Sequence, residues 1–241
     1  MSKKKYPRGT VPPCPGRAED YSLADRGGYY YWRRKRGTVK PATLNAAMQK
    51  RNDAMRALGP VIKQLKMALV PLMQPLPAGT LQNDLFKWLQ QYWVDTGLLS
   101  FENLQHRDLH RKYRLQKIFH AAYNHAASNE HLQLMLPQCS YAVTPQNKLV
   151  TDFVVEAVLL WETSQGFETS TQTSSLYAIN KGMHTGCDFS WPLPEQGNWL
   201  LLLKLICFEG DEFASHPMHY GIKVIATGDG TQVHPNKPLL Y

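Results

Sequence analysis

The chain has 241 residues, of which 43% are hydrophobic and 19% charged, with 16 Pro and 16 Gly; this is enough apolar content to bury a core in one large domain or two small ones, and it excludes wholesale disorder. The formal net charge of +8 is unevenly placed: residues 1–66 hold 16 Lys+Arg against 4 Asp+Glu, a net of +12, and the rest holds 11 against 15, a net of −4. The longest apolar run, 199–203, stops at Lys204, far short of the ~20 residues of a membrane span, and the cationic start has no apolar stretch behind it to make a usual signal or transit peptide.

Residues 1–28 carry Pro7, Pro12, Pro13 and Pro15 without apolar periodicity, and read as an extended arm rather than a regular element. Four aromatics then run into four cations, Tyr29, Tyr30, Tyr31, Trp32, Arg33, Arg34, Lys35 and Arg36. Their β-favouring aromatics predict a short strand or hairpin over 29–39. Aromatic rings stack on bases and cations neutralise phosphates, so this is one way of gripping single-stranded nucleic acid. The bland alternative, which carries about twice the weight, packs the aromatics and leaves the cations in water. Between the two stands docking on the acidic half of a neighbouring copy.

A helix opens at 41–43, with apolar residues at Leu44, Met48, Met55, Leu58, Ile62, Leu65 and Leu69 at the spacing of one helical face. Gly59-Pro60 should kink it or divide it in two, because proline removes a donor and crowds the preceding turn; Pro71, Pro75 and Pro77 should end it. A second, aromatic-rich helix starts with Thr80 as N-cap and stops by Gly97. Residues 100–129 read as a third helical region with Leu104, Leu109, Leu115, Ile118 and Phe119 buried.

From about residue 131 the pattern turns to strands, expected at 131–136, 149–162, 174–179, 198–208 and 219–227, with turns at 145–147, 164–166, 180–182, 195–198, 209–211 and 228–230. The two most continuous apolar runs suit strands covered on both faces. The fold class is thus α+β: a basic arm over 1–40, a helical region over 41–130 and an antiparallel β-sandwich over 131–241, with at least five strands.

Catalytic motifs are lacking. No G-x-G-x-x-G, Walker A, G-x-S-x-G or zinc-finger spacing occurs, so the expectation is a protein that is not an enzyme and carries no cofactor. His106 and His110, four apart, would form a metal pair on a helix, but the Glu that follows the first His in zinc proteases is missing; surface histidines are the better reading, and no metal is expected. His216 and His219 read as a turn leading into the last strand. Cys14, Cys139, Cys187 and Cys207 have no CxxC spacing, which fits free, mostly buried thiols in a reducing compartment, and the setting expected is cytoplasmic or particle-associated.

The order of parts resembles an uncharacterised family of small Bacteroidota proteins, a domain of unknown function, in which a Gly- and aromatic-containing hairpin with a Trp-Arg pair precedes a helix and a C-terminal antiparallel sheet domain. The matching residues are Trp32-Arg33, Gln49, Arg51 and Leu58-Gly59-Pro60. The chain departs from that pattern in its longer proline-rich start and its histidine-rich segment. The resemblance implies the fold and no catalytic residues.

The functional expectation is a self-assembling structural module whose basic arm docks on a neighbour and builds a homo-oligomer, ring or filament. Residues 134–241 supply the opposite charge, 10 acids against 5 bases, with Glu209, Asp211 and Glu212 as the acidic docking surface. Head-to-tail contacts of that kind close into rings or grow. The alternative is a packaging or mobile-element protein that binds nucleic acid through the same arm. No membrane and no small-molecule substrate is expected.

Overall fold

A computed structural model describes residues 6–35, 46–128, 130–143 and 149–229. Arg36, the helix start at 41–43, Leu44 and the turn at 145–147 lie outside them. The chain divides into two compact units, residues 1–49 and 50–241.

In the first unit, β1 (Tyr21–Asp25) and β2 (Tyr30–Arg34) form an antiparallel hairpin, registered from Tyr21↔Arg34 to Asp25↔Tyr30. The connection uses Gly27 and Gly28 at positive φ, and the Gly28 amide donates to Asp25 Oδ1 at 2.8 Å. Of the short strand or hairpin expected over 29–39, residues 30–34 are a strand and 36–39 lie outside the described residues, while its partner strand comes from residues read as an element-free arm. The proline-rich start is also tied down: the Gly9 amide donates to Gly28 O at 2.8 Å, and the Trp32 indole N–H donates to Pro12 O at 2.6 Å. Proline lacks an amide donor but keeps its carbonyl, so a segment unfit for a ladder still accepts a bond from the hairpin.

The second unit combines two helices with two antiparallel sheets, which confirms the α+β class. Helix α1 (Ala46–Met73) is continuous through Gly59-Pro60 and past Pro71. Both prolines are exposed, whereas Ala54, Leu58, Ile62, Leu65, Leu69 and Met73 are buried. An interior proline costs about 3 kcal/mol; a fully buried large apolar side chain contributes about 1.5–3 kcal/mol, so burial of that stripe outweighs the break that local chemistry favours. Met55, expected on the stripe, is 54% exposed, and Ala54 takes its place.

Helix α2 (Leu81–Thr96) ends at Gly97, whose φ of 74° is left-handed and whose amide bonds Trp93 O. Thr80 precedes the helix as expected but caps no amide. Its hydroxyl donates to Asp84 Oδ2 at 2.8 Å. Asp84 is buried on the apolar face of α2, where the Arg111 guanidinium engages both oxygens, Nε to Oδ2 at 3.0 Å and Nη2 to Oδ1.

Residues 100–129 are not helical throughout. Two single 3-10 turns (Glu102–Leu104 and Leu115–Lys117) lead into strand β3 (Phe119–Ala127), which pairs with β4 (His131–Tyr141). The alanines of β3 favour helix locally, but its place in a sheet overrides that preference. The smaller sheet has the order β3–β4–β8, with β8 spanning His184–Pro192.

In the larger sheet the centre is β5 (Asp152–Thr163) against β9 (Asn198–Glu209), in register from Asp152↔Phe208 to Trp161↔Trp199. On the far side of β5 lie β6 (Gly166–Thr173) and the two-residue β7 (Tyr177–Ala178); on the far side of β9 lie β10 (Glu212–Phe213) and β11 (Gly221–Asp229). The strand expected at 174–179 shrinks to β7, and the polar β6 and β8 show no apolar run in sequence because they are edge strands.

One face of the β5–β9 pair meets the smaller sheet. The Phe153 ring lies 6.0 Å from Phe119, 6.1 Å from Tyr141 and 5.6 Å from His184. The other face buries Val158, Leu160, Leu200 and Leu202 in one continuous core with the α1 and α2 stripes. On that face Glu156 and Lys204, cross-strand partners, neutralise each other at 3.0 Å. Gly228 is needed where it stands: a Cβ there would sit 2.3 Å from the ring of Trp199, its cross-strand partner. Along one flank the Gln172 amide bonds both backbone groups of Ser190, linking β6 to β8 across the two sheets. Among the described residues no helix is long and apolar enough to cross a membrane.

Among the described residues every buried apolar side chain lies at or beyond Ala54, so the body should fold alone. Deletion of residues 1–35 should leave a cooperative thermal transition at the parent midpoint, checked by circular dichroism; a molten product would place the hairpin unit in the core. A second expectation concerns acid. Burial pushes the Asp84 carboxyl up, but the bonds from Arg111 and Thr80 outweigh it and hold it below the usual range. A carboxyl depressed in the folded state stabilises above its unfolded pKa, and that stabilisation is lost as pH falls through the folded value. The loss of midpoint between pH 6 and pH 3 should therefore be smaller in Asp84→Asn than in the parent.

Candidate interaction sites

The hairpin divides the aromatic–cation run by strand alternation, since successive side chains leave opposite faces of a strand. Tyr30, Trp32 and Arg34 fall on one face. Trp32 is half-buried and bonded to Pro12 O; Arg34 Nε donates to the Tyr21 hydroxyl at 3.2 Å, its guanidinium 5.8 Å from that ring. These two residues, read as contact positions, are engaged inside the unit. Trp32 lines a groove of about 400 Å³ together with Tyr6, Pro7, Pro12, Tyr29 and Tyr31.

Tyr31 and Arg33 fall on the other face of β2; they and the flanking Tyr29 and Lys35 are all exposed, Tyr29 at 57% and Tyr31 at 45%. At the two-residue spacing two rings are followed by two cations. Arg33 makes no ion pair among the described residues. The interaction face is thus half the predicted run. Arg36 lies outside the described residues.

The acidic surface expected at Glu209, Asp211 and Glu212 is the tip of the β9–β10 hairpin. Gly210, at φ 67°, and Asp211 form its turn, and Glu209 stands directly opposite Glu212. Like charges directly opposite in a ladder repel. Glu209 Oε1 approaches His219 Nε2 at 3.7 Å, while Asp211 and Glu212 are exposed without a cation among the described residues. Phe208 and Phe213, the next cross-strand pair, stack at 5.1 Å, and Phe213 is 68% exposed. The exposed ring beside the acids was not anticipated from the sequence; the residue after a Glu-Gly-Asp-Glu turn was the available signal.

The histidine pair dissolves. His106 adopts a left-handed φ of 63°, and His110 Nδ1 accepts the amides of Lys112 and Tyr113, so the two stand on a loop rather than on a helix face. No cluster of three metal-ligating side chains occurs among the described residues. His216 and His219 do form a turn before the last strand, with His216 Nδ1 accepting the Met218 amide. His219 is buried, and its Nδ1 lies 3.2 Å from the Tyr141 hydroxyl, seventy-eight residues away in sequence. Burial holds its pKa below the usual value, with Glu209 opposing and His216 reinforcing that shift. The four cysteines are free; burial pushes the Cys139 thiol up to about 11 and Cys207 higher still, so neither is poised as a nucleophile.

No protein-family model matches the chain, and no curated protein matches it. A solved structure, that of CsgH from R. palustris, matches at 10% identity over 42% of this chain and 94% of that one, with a TM-score of 0.23. A similarity of that size carries no argument about fold or role.

Replacing Tyr141 by Phe removes the hydroxyl at buried His219, which should cost about 1–3 kcal/mol, as for a buried polar group that loses its partner. Denaturant titration checks this; an unchanged midpoint would show that the contact adds nothing to stability.

Proposed function

We propose that the chain is a non-enzymatic interaction module that self-associates, the Tyr29–Tyr31–Arg33–Lys35 face of one copy docking on the Asp211–Glu212–Phe213 tip of another. The observation that carries this reading is the matched character of the two hairpins: one sets two exposed rings beside two exposed cations, the other sets an exposed ring beside two acids and a repelling Glu209–Glu212 pair. Opposite charges steer such surfaces together and suppress wrong partners, and the rings supply the apolar contact that charge alone lacks. Because the two surfaces are unlike, the contact is heterologous and repeats into rings or filaments.

Sedimentation of the full chain at low salt tests the proposal. The parent should gain mass with concentration. Arg33→Glu with Lys35→Glu should weaken association at least tenfold, and adding Asp211→Lys with Glu212→Lys should restore it. A parent that stays monomeric, or a charge swap that fails to rescue, overturns the proposal. The second reading rests on the ring–cation spacing of the same face, which also suits a single-stranded nucleic acid. Oligonucleotide binding by the parent that survives Asp211→Lys and Glu212→Lys, with no self-association, would favour it.

A further inference from the structure

No residue of the hairpin unit between 6 and 35 is buried. A two-stranded ribbon of that kind is marginal in water, and further strands or a covering face are what give a sheet independent stability. The open edge of β2 is where such a strand can be added.

Backbone parity fixes which groups lie on that edge. The Arg26 amide donates to Tyr29 O and the Lys35 amide to Asp20 O. Bonded and non-bonded pairs alternate along an antiparallel ladder, so Tyr29, Tyr31, Arg33 and Lys35 direct their backbone groups to β1, and those of Tyr30, Trp32 and Arg34 point to the outer edge. Among the described residues the proline-rich segment makes one backbone bond to this edge, from the Gly9 amide to Gly28 O, before the strand begins, and none to Tyr30, Trp32 or Arg34. The groove of about 400 Å³ is lined by the consecutive Tyr29, Tyr30, Tyr31 and Trp32, whose side chains leave both faces of the strand, so it lies along the edge; prolines of that segment complete it.

Cations and prolines on an edge commonly deter strand addition. The order of residues in β2 removes that effect for one occupant, a second copy of the same strand. When the two meet antiparallel, only registers that bring outward backbone groups together can bond. The register centred on Trp32 sets Tyr30 opposite Arg34, Tyr31 opposite Arg33 and Trp32 opposite Trp32, so each cation faces a ring that attracts it and no like charges meet. A shift one way, centred on Arg33, sets Arg33 opposite Arg33, which repels; a shift the other way leaves Arg34 opposite Gly28. The hairpin already uses the favoured pairing, since Arg34 stands opposite Tyr21 with its guanidinium 5.8 Å from that ring.

We propose that β2 pairs antiparallel with β2 of a second copy about a two-fold axis at Trp32, giving a sheet in the order β1–β2–β2–β1. The contact is isologous and closes at two chains, and it is independent of docking on the Asp211–Glu212 tip.

Full chains carrying Asp211→Lys and Glu212→Lys, in which that docking is disabled, separate the two contacts. In sedimentation they should form dimers that grow no further; a monomer at every concentration overturns the proposal and leaves the edge to an unlike strand. Adding Tyr31→Arg, which sets cations opposite each other, should weaken the dimer at least about tenfold, whereas Tyr31→Glu should leave it at least as tight. Equal effects of the two overturn the proposal. Register is read by cysteine cross-linking in a Cys14→Ser background. Tyr31→Cys chains and Arg33→Cys chains should each stay uncross-linked alone and join when mixed, because the two positions stand opposite at a Cα separation of about 4.5 Å. No cross-link in the mixture, or one equally strong in either variant alone, overturns the proposal.

Discussion

The antiparallel pairing of β5 with β9 is the constraint on which the second unit depends. Its two strands are apolar on both faces along most of their shared length, and neither face can be left to water. One face is covered by the three-stranded sheet through the ring cluster around Phe153, and the other shares its core with the helical stripes. The sandwich and the helices follow from a single pair of strands that needs two covers. The polar exception, Glu156 beside Lys204, is tolerated because the two are cross-strand partners and cancel each other.

That constraint also explains the edges. β6 and β8 are polar because they border the sheets, and they are joined by the Gln172 amide rather than by apolar contact. The outer edge of β11 is covered by the irregular segment 106–109, whose position is in turn set by neighbours such as Arg111, held to Asp84 on α2. Charged and irregular parts of the chain therefore carry structural work that their composition does not announce.

Charge plays a different part at the surface. The body holds its surplus of acids partly in a tight hairpin, where Glu209 faces Glu212. In the hairpin unit, strand alternation over Tyr30–Arg34 sends Trp32 and Arg34 to one face and Tyr31 and Arg33 to the other. Sequence reading treated the run as one patch, and the two-residue period makes it two.

Local chemistry in the sequence was sufficient for what repeats or interrupts the chain. The α1 stripe, the end of α2 at Gly97, the runs that became β5 and β9, the turn at Glu209-Gly-Asp and the strand of aromatics before Arg33 were all legible, because apolar periodicity and glycine requirements are properties of neighbouring residues. Tertiary structure alone decided that Pro60 lies within a continuous helix, since burial of a stripe on the opposite face outweighs the local break. It decided that the alanine-rich 119–127 is a strand, since its partner β4 outbids helix propensity. It also brought His219 to Tyr141 and Trp32 to Pro12. Each of these rests on contacts between segments distant along the chain or on one side of a strand, and no window of sequence contains them.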